Sequence, residues 1–117
     1  MRPYQRNNYL FEKHDKAYVF STGYAQMRPF VDGSFLLGLV QSDRFVKNVL
    51  DKCTGTSYPA INSNDLSEIK VFCPKKEIEQ QKIGNFLLSI DNFITLHQRK
   101  LGKLQNLKKA MLEKMFV

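Results

Sequence analysis

The sequence predicts an α+β fold, in which a small mixed unit over residues 1–74 precedes a long coiled-coil-forming α-helix over residues 75–117. Three observations support this prediction. The chain has 117 residues, 43% of them hydrophobic, which suits a single core of modest size. Short β-type and helical patterns share the first 74 residues, whereas residues 75–116 look like one uninterrupted helix.

Three short segments have the composition of β-strands. Residues 18–20 and 24–28 flank the turn-forming sequence at residues 21–23, which predicts a strand, a turn and a second strand. A third strand is expected over residues 69–73, where Pro74 ends it. Three short strands cannot form a large sheet by themselves. We therefore expect part of the domain to be missing upstream or supplied by another chain.

Two short helices are expected between these strands. Residues 34–42 and 42–53 place apolar side chains at helical spacing, and Ser42 or Asp43 is well placed to cap the second helix. The apolar face of the second helix consists of Phe45, Val46, Val49 and Leu50. A loop and a capped turn at residues 64–65 then lead to the third predicted strand.

The long helix contains a heptad pattern, which we call the seam. Its ten positions alternate in steps of four and three, and eight of the ten are apolar. This period predicts a left-handed supercoil over more than four heptads. The d positions are Ile83, Ile90, His97, Leu104 and Met111, and the a positions are Leu87, Ile94, Leu101, Lys108 and Met115.

The seam requires a covering surface. A helix of about 33 residues is roughly 50 Å long, whereas a compact unit of residues 1–74 is only ~25 Å across. Most of the helix therefore overhangs, and its apolar stripe needs a helix from another polypeptide. The alternative is an amphipathic helix folded back on its own domain. In a parallel dimer His97 and Lys108 would each face their own copies, so an antiparallel arrangement is expected.

Charge and composition narrow the classes of function. The net charge is +7, of which residues 1–74 carry +2 and residues 75–117 carry +5, so an anionic partner such as nucleic acid or a membrane surface is indicated. The longest apolar stretches are about five residues, far short of a membrane span, and no signal-peptide core is present. Cys53 and Cys73 show no metal-binding spacing, and catalytic and cofactor motifs are absent. A cytoplasmic, non-enzymatic protein without metal or cofactor is expected.

A set of residues along the chain carries a family resemblance. These residues are Tyr58, Pro59, Ala60, Ile61, Asn62, Asp65, Leu66, Ile69, Lys70, Val71, Pro74, Glu79, Gln80, Ile83, Phe86, Leu87, Ile90, Asp91, Ile94, Leu101, Leu104, Lys108, Lys109, Met115 and Phe116. From about Ser21 to the C-terminus, the chain resembles the end of a target recognition domain and the following conserved helix in the specificity subunit of type I restriction-modification systems.

This resemblance implies a DNA-recognition polypeptide without catalytic activity of its own. A full specificity subunit carries two recognition domains joined by two antiparallel helices, while modification subunits methylate adenine and restriction subunits cleave. The implied partners are double-stranded DNA, a second copy or another specificity polypeptide, and the modification and restriction subunits. Two antiparallel copies of the helix would form a rod of ~50 Å, or about 14 base pairs.

Two alternatives to this interpretation remain. The chain resembles only part of one recognition domain, so a truncated polypeptide that acts solely as a helical interaction module, without reading DNA, is the main one. A basic amphipathic helix lying on a membrane is the other, although regular heptads argue against it.

The candidate DNA contacts are basic, amide and aromatic side chains, because Arg and Lys bind phosphate or guanine while Gln and Asn suit adenine edges. An ordinary solvated surface residue is the alternative at each position. The candidates are Arg2, Gln5, Arg6, Asn7, Tyr24, Gln26, Arg28, Arg44, Lys47, Lys52 and Tyr58. The basic residues of the long helix, such as Lys103 and Lys109, are expected to form a solvated face or a docking surface for a modification subunit.

Overall fold

The computed structural model describes residues 1, 3–12, 15–55 and 57–116. Helices hold 57% of the described residues and strands only 2%, so this part of the chain is essentially all-helical. After a short 3-10 helix at Pro3–Gln5, the α-helices are α1 at Gly33–Gln41, α2 at Asp43–Leu50, α3 at Ser63–Ser67 and α4 at Glu77–Met115. The chain forms two compact units, Met1–Asn85 and Phe86–Val117.

The predicted α+β class is wrong. The turn at residues 21–24 is present, since the Tyr24 N–H donates to the Ser21 carbonyl over 3.1 Å. However, none of the three predicted strands forms, and the described residues contain no sheet. Strand propensity describes a side chain that fits a half-buried pleated surface. Val19 is 98% exposed and Phe72 is 80% exposed, so these β-type residues lack the neighbouring strand that would give such a surface.

The two short predicted helices are confirmed as α1 and α2. The Asp32 carboxylate accepts a hydrogen bond of 2.7 Å from the Phe35 N–H and so caps α1. Ser42 ends α1 and caps α2, where its hydroxyl oxygen accepts from the Phe45 N–H over 3.3 Å. Each cap satisfies a backbone N–H group that has no partner inside its own helix.

The hydrophobic core of the described residues is small. It contains Phe35 from α1, Val46 and Val49 from α2, and Ile61 from the loop before α3. Backbone hydrogen bonds of 3.0 Å join Thr54 and Ala60 in both directions and close the loop that precedes Ile61. Of the predicted apolar face of α2, Val46 and Val49 lie in the core and Phe45 is half-buried, whereas Leu50 is exposed.

The long helix expected over residues 75–116 is present as α4, whose 39 residues correspond to about 58 Å of helix axis. At its start, the Gln80 side-chain amide donates to the Pro74 carbonyl over 2.9 Å. Gly84 lies directly against the N-terminal turn of α1. A Cβ atom at this position would lie 2.6 Å from the Phe35 backbone nitrogen, so the close approach requires glycine.

Candidate nucleic-acid interface and helix seam

The candidate residues near the N-terminus lie at the end of the short 3-10 helix and directly after it. Gln5, Arg6 and Asn7 are exposed, and Arg6 has a φ of 49°, in the left-handed region that side chains other than glycine seldom adopt. The Arg6 guanidinium donates to the Asp43 carboxylate over 2.7 Å and so joins this segment to the first turn of α2. Arg2 lies outside the described residues.

The candidates on and after α2 are exposed, and two of them have partners within the chain. The Arg44 guanidinium lies 4.8 Å from the centre of the Phe72 ring, a cation–π arrangement. The Lys52 ammonium lies 3.7 Å from the Glu68 carboxylate. Surface contacts of this kind contribute about 0–1 kcal/mol each, so they orient the side chains without fixing them. Among the described residues Lys47 makes no ion pair.

The loop candidates are exposed but do not share a strand face. Tyr24, Gln26 and Arg28 were expected to alternate along a strand, and the structure places them in an irregular segment instead. Tyr58 lies in the loop closed by the hydrogen bonds between Thr54 and Ala60, and its side chain is largely exposed. Within the described chain the side chains of Gln26 and Arg28 make no hydrogen bond or ion pair.

An aromatic cluster in the first unit was not predicted from the sequence. The Phe11 ring lies edge-to-face with the Tyr18 ring at 5.3 Å and with the Phe20 ring at 5.1 Å between centroids. All three side chains are substantially exposed. The sequence shows these aromatic residues, but their spacing fits neither a helix nor a strand period and so did not indicate that they would cluster. Exposed aromatic faces are suited to stacking against unpaired bases as well as to covering by another protein.

The side chains of the described residues offer no obvious metal site. They contain no group of three or more His, Cys, Asp or Glu residues close enough to hold a metal ion. Cys53 and Cys73 are both free, with Cys53 half-buried and Cys73 exposed. Burial raises the pKa of the Cys53 thiol, which donates to the Val49 carbonyl over 3.3 Å.

The seam is exposed along the whole of α4. The exposed fractions of its apolar members run from 37% at Ile83 to 74% at Met115. His97 lies in the middle of the seam, where its Nδ1 is 2.8 Å from the Phe93 carbonyl oxygen. Within the second unit, none of the described residues covers the apolar members of the seam.

Charge is distributed unequally along α4. Residues 77–97 contain three carboxylates and one lysine, a net charge of −2, whereas residues 98–115 contain six basic side chains and one carboxylate, a net charge of +5. Two such helices attract each other best when the basic half of one lies beside the acidic half of the other. If two copies pair through α4, this charge distribution favours the antiparallel arrangement. No helix in the described part of the chain is long and apolar enough to cross a membrane.

The fold describes a helical polypeptide in which a small unit with basic loops precedes a long helix that carries an exposed apolar seam. A protein-family model for the type I restriction modification DNA specificity domain matches residues 6–106. The chain therefore belongs to this family, and the resemblance drawn from the sequence is confirmed.

One curated relative is the type I restriction enzyme MjaVIII specificity subunit from Methanocaldococcus jannaschii. The two chains are 32% identical over 82 residues, which cover 70% of this chain but only 19% of the relative. The chain thus spans about a fifth of the length of the relative that it matches. No solved structure matches the chain significantly.

Proposed function

We propose that this chain is a non-catalytic DNA-recognition component of a type I restriction-modification system. In this proposal residues 1–74 supply DNA contacts and residues 75–117 supply the helix that pairs with another copy. The family match over residues 6–106 carries the proposal, because the family is defined as a DNA specificity domain. The net charge of +7 supports an anionic partner. A restriction-modification system acts on DNA, so the proposal places the chain in the cytoplasm.

Pairing of two copies follows from the exposure of the seam. Helices in water gain most of their stability when an apolar face packs against another surface. The second unit is a single helix whose apolar seam residues are exposed, so a second helix from another molecule supplies the missing surface. A homodimer is the simplest source, and another specificity polypeptide with the same seam is the other.

The DNA contacts are best assigned to basic side chains without partners in the chain. Arg6, Arg44 and Lys52 already have partners within the chain, which are Asp43, Phe72 and Glu68, respectively. Arg28 and Lys47 are exposed and make no ion pair among the described residues, so their charges are available to phosphate. The neighbouring Gln26 side chain is suited to the edge of adenine.

Fluorescence anisotropy with a labelled duplex at low salt tests this assignment. We expect binding that weakens as salt rises, and a double variant Arg28→Glu with Lys47→Glu that binds much more weakly and has a shallower salt dependence. Loss of two phosphate contacts lowers the slope of log affinity against log salt by about 1.8. The variant Lys103→Glu with Lys109→Glu changes net charge equally on α4 and is the matched control. An equal loss in both variants would contradict the assignment.

The second candidate function is a helical interaction module that does not read DNA. The small core of the first unit and its many exposed aromatic side chains favour this alternative, since such surface is commonly covered by another protein. The same anisotropy assay decides between them. A dimer that binds no duplex, even at low salt, supports the interaction module and contradicts DNA recognition by this chain.

Modification and restriction subunits are the further partners that the proposal requires. The basic side chains on α4 outside the seam offer a surface for an acidic face of a modification subunit, and they include Arg99, Lys103 and Lys109. Copurification of the tagged chain with a modification subunit tests this. Loss of the complex on charge reversal at Lys103 and Lys109, with dimerisation intact, is the expected result.

A further inference from the structure

The α4 seam contains one cation that its own helix does not neutralise. Lys108 occupies an a position among exposed apolar side chains, and its neighbours three and four positions away are Leu104, Gln105, Met111 and Leu112. None of them is acidic. Lys108 is exposed and makes no ion pair in the described part of the chain, so its ammonium has no counter-charge there.

Asp91 is in the opposite situation on the same helix. It lies at an e position beside the seam, and no residue three or four positions away from it is basic. Its backbone carbonyl accepts from the Thr95 hydroxyl over 3.0 Å, while its carboxylate makes no ion pair among the described residues. Charged side chains three or four residues apart on a helix normally pair with each other. Asp91 and Lys108 therefore both lack the partner that helical spacing would provide.

The heptad positions limit the antiparallel alignments of two copies of α4 to registers that differ by whole heptads. In an antiparallel coiled coil, each core layer joins a d position of one helix to an a position of the other, with knobs inserted into holes. The register that pairs all ten seam positions has residue 99 as its centre of symmetry. Between residues 87 and 111, the layers join Leu87 to Met111, Ile90 to Lys108, Ile94 to Leu104 and His97 to Leu101 of the second copy.

This alignment brings the two unpaired charges together. The hole that receives an a-position side chain in an antiparallel pair is formed by two a residues, one d residue and the e residue next to it. For Lys108 the hole consists of Leu87, Ile90, Asp91 and Ile94 of the second copy. The lysine stem lies over the three apolar residues while the ammonium extends to the carboxylate at the edge of the seam.

We propose that Lys108 of one copy pairs with Asp91 of the second copy, and that this pair, formed twice by symmetry, sets the orientation and register of the homodimer. The proposal rests on the dimerisation proposed above. The occupant to which it commits is a second copy of this chain, because charge complementarity places a carboxylate of the same sequence beside each seam lysine.

Other alignments leave the lysine without a partner. A shift of one heptad in one direction places Lys108 opposite Ile83 with Gly84 at the edge, and a shift in the other direction places it opposite His97 with Gln98 at the edge. Neither alignment offers a carboxylate. A parallel pair in register brings the two Lys108 ammonium groups face to face, whereas the antiparallel pair separates them by about 27 Å along the axis. Of these alignments, only the antiparallel register centred on residue 99 neutralises both charges.

Sedimentation equilibrium on charge-reversal variants tests the pair. We expect Lys108→Glu and Asp91→Lys each to raise the dimer dissociation constant by about tenfold to a hundredfold, because two attractions become two repulsions. The double variant with both changes restores opposite charges and is expected to return within about threefold of the wild type. Lys103→Glu makes the same change of charge on the outer face and is the matched control.

Disulfide crosslinking separates failure of the register from failure of the dimer. In a background with Cys53→Ser and Cys73→Ser, a copy carrying Ile94→Cys is mixed with a copy carrying Leu104→Cys. The proposed register yields the mixed disulfide, whereas a parallel pair yields disulfides between identical copies.

Three outcomes would overturn the proposal. A wild-type chain that stays monomeric at about 100 μM, well above the range expected for a stable pair, contradicts the dimer and the register together. A dimer in which Lys108→Glu behaves like Lys103→Glu, or in which the double variant stays weak, contradicts the charge pair alone. Pairing only with a different specificity polypeptide contradicts the second copy as the occupant.

Discussion

The contact between Gly84 and α1 leads to a sharp prediction for two glycine-to-alanine substitutions in the same helix. Both replacements gain the intrinsic helix preference of alanine, about 1 kcal/mol. At Gly84 the added methyl would lie 2.6 Å from the Phe35 nitrogen and would contact the Asp32 carboxylate that caps α1. At Gly102 a methyl meets nothing within 4 Å.

The two substitutions are expected to change the free energy of unfolding in opposite directions. Overpacking against backbone atoms costs about 1–3 kcal/mol, and disturbing the Asp32 cap costs about 1 kcal/mol more. After subtraction of the gain in helix preference, Gly84→Ala is expected to lower the free energy of unfolding by about 1–3 kcal/mol. Gly102→Ala is expected to raise it by up to about 1 kcal/mol, because only the helix preference changes.

Urea unfolding followed by far-ultraviolet circular dichroism measures this difference. The protein concentration is held fixed, because the proposed dimerisation would make the stability depend on concentration. Hydrogen exchange locates it, since the first-turn amides of α1, including that of Phe35, are expected to exchange faster in Gly84→Ala and unchanged in Gly102→Ala. The close approach of α4 to α1 is refuted if the two variants are equally stable and the first-turn amides of α1 exchange at the same rate in both.

Two further predictions concern the first unit. Cys73 is expected to react with iodoacetamide faster than Cys53 at about pH 8, because the thiolate is the nucleophile and burial raises the pKa of Cys53. Peptide mass spectrometry measures both rates, and equal rates would contradict the burial of Cys53. Ser42→Ala is expected to destabilise α2 by about 1 kcal/mol through loss of its cap, seen as faster hydrogen exchange over residues 43–50, while Ser89→Ala on the exposed surface of α4 leaves that exchange unchanged.

Helices were predictable from the sequence because their determinants are local. The seam repeats over more than four heptads, and Ser42 marks the boundary between α1 and α2 with a single side chain. The sheet was predicted wrongly because β-propensity depends on a partner strand, which residues 18–20 do not have in the described chain. The contact of Arg6 with Asp43 spans 37 positions, and no pattern of spacing indicates it.

The two polar residues of the seam have different consequences for association. A backbone carbonyl can only accept a hydrogen bond, so His97 Nδ1 carries a proton and donates it to the Phe93 oxygen within its own helix. His97 thus satisfies one ring nitrogen locally, and in the proposed dimer it tolerates an apolar neighbour such as Leu101 of the second copy. Lys108 has no such local partner, since an ammonium has only donors and its helical neighbours offer no carboxylate. In the proposed dimer the lysine, rather than the histidine, therefore discriminates between registers, and replacing Lys108 with leucine is expected to strengthen association while allowing shifted alignments.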